Sequence, residues 1–453
     1  MKRAWAIAWR NLQRNRRRNL ATFAAIAFGY AGLLLLGGYA VRVERFLKTN
    51  AVFLQQAGHV AVFAPGGLDR ASAEPEKAQL DPAAQQAIVQ WAQGDGRVER
   101  ATRYLRGVGM AGNACTTRPA QLVGVDMVEH RALLQHPELL EASPELAAPA
   151  TGQWPSARPE LKNAVALAAG LATLLQKPKV WSEVQGLPPA PVVLACDTPA
   201  AATQLAADAN IQVVGITYDG TLNAVDGEMT ATFHAPDPQG EEAAMLLPLP
   251  LLQQLFATDR VTYVALLLRD HTQAKAVADD LRAALQAKGR KVDTWTFQDQ
   301  EWAPYYVGTM AFLGSMVGFI TLLVSVVLVL TVAGAMTLAI LERTRELGTW
   351  RALGFQRGQL TALLVREAAL LSLLGLAAGL GIGLGVAYLV NSAGLRFSPP
   401  GVAGSIQLLI TPSALSCALQ ALLLPPGVAL ATWWVARGQL LKKPVDLLIT
   451  PTS

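Results

Sequence analysis

Four stretches of this chain, 20–41, 307–341, 368–395 and 397–436, contain no Asp, Glu, Lys or Arg. A helix needs about 20 apolar residues to cross the hydrocarbon of a bilayer, so the stretches predict transmembrane helices over 20–40, 307–341, 367–390 and 413–436. A soluble protein would have to hide all of 307–341 and 397–436 in its core. The second stretch exceeds one crossing, which predicts a helix projecting past the membrane on the outer side. Trp302, Tyr305 and Tyr306 stand at its start, where interfacial aromatics are expected. Helix three carries Gly375, Gly379 and Gly383, two overlapping GxxxG spacings that favour close helix contact. Helix four contains Pro425 and Pro426, which remove helical hydrogen bonds and predict a kink or break.

Ahead of the first crossing, residues 1–19 have a helical polarity. At about 100° per residue, Trp5, Trp9 and Leu12 share one side, while Arg3, Arg10, Arg14 and Arg17 cluster on the other. This predicts an amphipathic helix in the inner interface, Trp at the headgroups and Arg toward phosphate and water. The same charges also read simply as a topology signal. Residues 41–306 are far too many for a mere connection. Within them 58–63 (GHVAVF), 122–125 (LVGV), 211–216 (IQVVGI) and 264–268 (VALLL) read as strands. Residues 163–176 and 272–287 read as helices, and the Ala/Pro/Glu-rich 71–84 and 141–160 as surface loops. The expected fold class is an α-helical membrane protein with four transmembrane helices and a large mixed α/β extracytoplasmic domain inserted between helices one and two.

Composition agrees: the chain of 453 residues is 52% hydrophobic and only 16% charged. Where the charge lies sets the orientation. Lys2, Arg3, Arg10, Arg14, Arg16, Arg17 and Arg18 precede helix one with no acid among them. Arg343, Arg345, Arg351, Arg357 and Arg366 fall in the link 342–366, and Arg437, Lys442 and Lys443 in the tail 437–453. The loop 391–412 holds Arg396 alone. Basic flanks stay inside, which predicts both termini in the cytoplasm, against the dissent of Arg42, Arg45 and Lys48. The net charge of +5 is then topology and gives no reason to expect a nucleic-acid partner. Cys115 and Cys196 fall in the outer segment, a compartment that permits a disulfide; Cys417 reads as packing in helix four.

The outer segment carries no strong catalytic signature. The chain has no GxxxxGK[ST] phosphate loop, no HExxH, no GxSxG elbow, and no His–Cys spacing suited to zinc. No carboxylate or basic residue falls within the four uncharged stretches, which argues against a proton- or ion-coupled carrier. Energy for transport would have to come from elsewhere. That directs attention to 342–366, about 25 residues where a simple turn would do. Glu342 and Glu346 share a helix face, Gly348 offers a bend, and Trp350, Leu353 and Leu360 give an apolar side to a second short helix broken near Gly354 and Gly358. Such an element suits a docking surface for a cytoplasmic partner; an interfacial loop with no partner is the plainer reading.

The string ERTRELGTWRALGFQRGQLTALLVREAALL resembles the signature of the FtsX-like permeases, a group that includes the macrolide exporter MacB and the lipoprotein-release permeases LolC and LolE. The pattern falls on Glu342, Arg343, Arg345, Glu346, Leu347, Gly348, Arg351, Ala352, Leu353, Gly354, Arg357, Gln359 and Glu367. AWRNLQRNRRRNLAT is similar to the family's amphipathic first helix, GHVAVF to the start of its outer domain in the lipoprotein-release branch, and RGQLLKKPVDLL to its C-terminal end. The double proline and Asp446 depart from it.

The resemblance implies a permease subunit of the bacterial inner membrane, with a MacB-like periplasmic domain. It implies pairing with a second permease subunit, the same chain or a homologue, and binding of a separate dimer of ABC ATPases. Glu342, Arg343, Arg345, Glu346, Gly348, Arg351, Leu353, Gly354 and Arg357 would form the coupling element. ATP and Mg would be held by the partner ATPase and no cofactor by this chain. Lipoprotein release or export of an amphiphilic substrate is the expected function, with a lipoprotein or a periplasmic chaperone as outer partner. A mechanotransmitter that controls an extracytoplasmic partner without transport is the alternative, and a purely structural receptor a third.

Overall fold

The computed structural model describes residues 10–13, 16–70, 76–184, 196, 198–235, 237–397 and 406–440. Trp5, Trp9, Arg14 and the tail basics Lys442 and Lys443 lie outside the described residues, and Arg10 is exposed. The chain forms two compact units, one of residues 1–44, 310–395 and 407–453, the other of 45–309 and 396–406.

The first unit is helical: α1 Arg16–Thr49, α2 Pro304–Glu342, α3 Thr344–Ala352, α4 Arg357–Ser392 and α5 Ala414–Leu440. Three helices among the described residues are long and apolar enough to cross a membrane: Asn19–Leu54, Pro304–Glu342 and Arg357–Ser392. The 39 residues of α2 rise roughly 58 Å at about 1.5 Å each, nearly twice a hydrocarbon core. Ile26 of α1 packs with Val332 and Met336 of α2, Ala368 and Leu371 of α4, and Val428 of α5. Tyr30 and Leu34 repeat the pattern further along, on Leu328 and Leu376.

The glycines set how closely α1 and α4 approach. A Cβ on Gly375 would stand 2.7 Å from the Ile26 side chain, on Gly379 2.5 Å from the Ala27 carbonyl oxygen, and on Gly383 3.1 Å from Leu34. Helices in lipid gain little from apolar contact alone, so this backbone approach is where their packing energy comes from. Pro425 and Pro426 do not break α5, which remains helical through both.

The second unit is built on a ten-stranded mixed sheet. Its strands are β1 Val60–Phe63, β2 Val98–Gly112, β3 Thr117–Val125, β4 Thr151–Gly152, β5 Ala164–Ala168, β6 Asn210–Ile216, β7 Leu222–Phe233, β8 Ala244–Pro248, β9 Tyr263–Leu268 and β10 Asp293–Thr296. The order is β10-β1-β9-β2-β3-β8-β5-β7-β4, and β6 pairs with both β2 and β7. Helix Ala274–Ala287 packs Val277, Leu281 and Leu285 inward, as the apolar spacing of 272–287 predicts.

Two expectations for this unit are corrected. Residues 163–176 are not one helix: β5 occupies Ala164–Ala168, followed by a short helix, Ala169–Leu174. The Ala-rich segment has helical propensity, but all five strand residues are buried between β7 and β8, and that pairing overrides it. Trp302 and Tyr306, expected among interfacial aromatics, pack within the sheet unit. Trp302 donates from Nε1 to the Ala57 carbonyl at 3.2 Å and its ring packs 4.9 Å from Phe63 and 5.1 Å from Tyr263. Tyr306 is buried against Phe297. A disulfide joins Cys115 to Cys196.

Candidate functional site

The charged turn is a small folded unit. Helix α2 ends at Glu342, Arg343 turns the chain (φ −101°, ψ 13°), and α3 begins at Thr344. Gly348 does not bend the chain. It lies buried inside α3 beside Leu347. The stop comes at Gly354, whose φ of +96° is a conformation L side chains rarely adopt. There the Gly354 N–H donates to the Arg351 carbonyl at 3.1 Å and the Phe355 N–H to Trp350 at 3.1 Å. These are the two bonds of a Schellman stop. Gln356 then caps α4 in a reciprocal box with Gln359. Gly358 is therefore the second residue of a 36-residue helix, not a break.

Ile340, Leu347, Leu360, Leu364 and Ala436 bury one face of the turn, with Trp350 and Val435 packed against them. The other face is open. Glu342, Arg345, Glu346 and Arg357 are exposed, as are Leu353 at 75% and Phe355 at 47%. Of the predicted residues, Arg345, Glu346, Leu353 and Arg357 thus share an outward surface with Glu342, while Arg351 is half-buried. Arg343 points the other way: its Nη1 stands 3.3 Å from Oε2 of Glu367, which is 6% exposed. Asn11 Nδ2 donates to the other oxygen, Oε1. One carboxylate therefore ties the segment before α1, the end of α2 and the first third of α4.

The expected coupling residues did not include Asn11, Glu367 and Phe355. Glu367 had a signal, an acid at the very edge of the uncharged run 368–395. Asn11 had none, because an amide in a basic helix has no periodic signature.

Residues 315–445 match the family described as FtsX-like permease C-terminal. The Pyoverdine export ATP-binding/permease protein PvdT of Pseudomonas syringae pv. syringae (strain B728a) is 29% identical over 155 residues, 34% of this chain and 24% of PvdT. The Uncharacterized ABC transporter permease YknZ of Bacillus subtilis (strain 168) is 28% identical over 153 residues, 33% of this chain and 38% of YknZ. The chain thus spans well under half the length of either relative. Among solved structures, the extracellular domain of the noncanonic ABC-type transporter YknZ from Gram-positive bacteria aligns with a TM-score of 0.30 at 11% identity, over 52% of this chain and 98% of that one. The periplasmic region of MacB from Actinobacillus actinomycetemcomitans gives 0.32 at 9%, over 53% and 91%. Both likenesses are too distant to bear on fold or function. The charged turn, Glu367 and the glycine face of α4 all fall inside the family match, and the chain carries an FtsX-like permease domain over residues 315–445.

Proposed function

We propose that this chain is the permease subunit of an ABC transporter, driven by a separate cytoplasmic ATPase dimer that docks on residues 342–360. The observation that carries the reading is the turn itself: a capped helix whose buried face is fixed by Ile340, Leu347, Leu360 and Ala436, and whose outward face mixes Glu342, Arg345 and Glu346 with exposed Leu353 and Phe355. Apolar anchors ringed by charge are the usual anatomy of a docking patch. The printed names of PvdT and YknZ, an export ATP-binding/permease protein and an ABC transporter permease, support the same reading. In it α5 is a fourth crossing, both termini are cytoplasmic and the large domain lies outside. A second permease subunit would cover the exposed apolar stripe Phe312, Met316, Phe319, Leu323, Val326 and Leu330 of α2. Movement at the turn passes into α2 directly and into α4 through Arg343 and Glu367. Lipoprotein release or export of an amphiphile is the work this would drive.

The test is purification in mild detergent, identification of what accompanies the chain, and the same with Leu353→Asp and Glu346→Arg. An ATPase is expected with the wild type and lost from both variants, while elution volume and melting stay unchanged. An ATPase retained by both variants, or none with the wild type, ends the proposal. Reconstituted vesicles that hydrolyse ATP but release neither lipoprotein nor amphiphile would favour a mechanotransmitter.

A further inference from the structure

A groove of about 510 Å³ opens between the start of α4 and the end of α5, lined by Arg357, Gly358, Thr361, Ala362, Val365, Trp433 and Arg437. Its volume falls within the roughly 300–1,000 Å³ of small-molecule sites. Residues 358, 361, 362 and 365 fall on one helical face, and Trp433 and Arg437 are one turn apart on α5. The groove is amphipathic along its length. At the mouth stand two guanidinium groups, and Arg437 lies 5.1 Å over the Trp433 ring, an arrangement that holds the cation while leaving its N–H edge for a ligand. Gly358 adds no side chain to fill the mouth: a Cβ there would meet nothing within 4 Å. Ala362, Val365 and the Trp433 ring supply an apolar throat toward the membrane-spanning part of both helices.

The geometry points to an anionic phospholipid of the inner leaflet: phosphate between Arg357 and Arg437, the first methylenes of its chains along Ala362, Val365 and Trp433. Basic pockets between transmembrane helices on the cytoplasmic side hold such headgroups, and planar guanidinium suits phosphate better than ammonium does. A soluble anion would use the arginines but have no use for the throat. An acidic peptide of a docked ATPase would meet Arg357 at the outward face of the turn rather than follow the groove along α4. The placement rests on the orientation proposed above, with both helix ends inside. The chemistry rests on the groove alone, so it is tested on the full chain with no ATPase present.

Native mass spectrometry from mixed phosphatidylglycerol and phosphatidylcholine would count the lipids retained. The wild type is expected to keep phosphatidylglycerol preferentially, and Arg357→Gln with Arg437→Gln to lower that retention roughly tenfold. Arg118→Gln, on an exposed residue of β3, should leave it unchanged. Ala362→Trp keeps both charges and fills the throat; it should expel the lipid too. Equal retention of both lipids, no effect of the arginine changes, or an Ala362→Trp protein that binds as before would overturn the proposal. Displacement by millimolar inorganic phosphate would also overturn it, making this an anion site. Should a variant fail to fold, a bimane label at Thr361→Cys in a Cys417→Ala background reads the same event. Its emission should shift with phosphatidylglycerol and not with phosphatidylcholine; an equal shift sinks the idea.

Discussion

The two units bury polar groups in different ways. In the sheet unit these groups are dispersed, and several of them fasten a stretch of backbone. Gln85 Nε2 donates to the Leu80 and Asp259 carbonyls at 3.0 and 3.2 Å, Lys177 Nζ to the Asp208 carbonyl at 2.8 Å, and Asn113 to Leu175. In the helical unit, apart from Arg42, buried charge among the described residues gathers where Glu367 meets Arg343 and Asn11. A side chain bonded to backbone fixes one loop. A carboxylate on α4 bonded by side chains from two other segments joins all three segments at one point.

Breaking that junction should therefore give the largest effect. Glu367→Ala leaves Arg343 in a part-buried site without its carboxylate, and removing one partner of a buried pair costs about 3–5 kcal/mol. We expect a large drop in the detergent melting temperature. Arg343→Leu combined with Glu367→Leu should recover much of the stability but not ATPase-coupled activity. Equal recovery of both would make the junction merely structural. Next is the sheet unit's own tie. Cys115 and Cys196 close a loop across 81 residues, and opening such a loop costs about 2–4 kcal/mol. Dithiothreitol should speed hydrogen exchange in β2, β3 and β6 and leave α1 and α4 unchanged.

How much of this could be read from the sequence differs between the units for a physical reason. Uncharged runs announce membrane helices, because hydrocarbon tolerates little else. The helix expected over 20–40 nonetheless runs from Arg16 to Thr49, since charged residues extend a helix once it leaves the lipid. The turn was legible as charge between apolar runs, but its corners were not. Gly348 and Gly354 are both glycines in the same motif, yet one packs inside a helix and the other ends it, and only the hydrogen bonds of residues 350–355 tell them apart. In the sheet unit the short strands LVGV and IQVVGI stood out by β-branched content, whereas AVALA did not. Nothing local distinguishes a fully buried Ala-rich strand from a helix.

Glycine substitutions would sharpen the account of the helical unit. Gly379→Ala drives a Cβ to 2.5 Å from the Ala27 carbonyl, backbone that can yield only if α1 and α4 separate; about 1–3 kcal/mol of stability should go. Gly381→Ala, where a Cβ meets nothing within 4 Å, should instead stabilise by about 0.5–1 kcal/mol. Denaturant titrations showing equal losses at both positions would remove the case for a specific glycine contact.

The remaining prediction concerns acid. All five histidines belong to the sheet unit, and two are buried within it. His59 Nδ1 accepts the Leu268 N–H at 2.9 Å, and burial lowers its pKa from 6.5 to about 4. Lys48, His271 and His136 act in the same direction, and Glu138 opposes them. His130, edge-on to Trp154, is lowered to about 4 by burial. Both folded values lie below the unfolded one. Between pH 6.5 and 4 the unfolded chain therefore binds more protons, and stability falls as the pH is lowered through that window. At pH 5.5 each histidine should cost about 1.4 kcal/mol relative to pH 8. Hydrogen exchange corrected for intrinsic rates should then rise in β1 and β9 but not in α4. His130→Leu should remove about half of the dependence; an unchanged slope would show that ring to be solvated in the native protein.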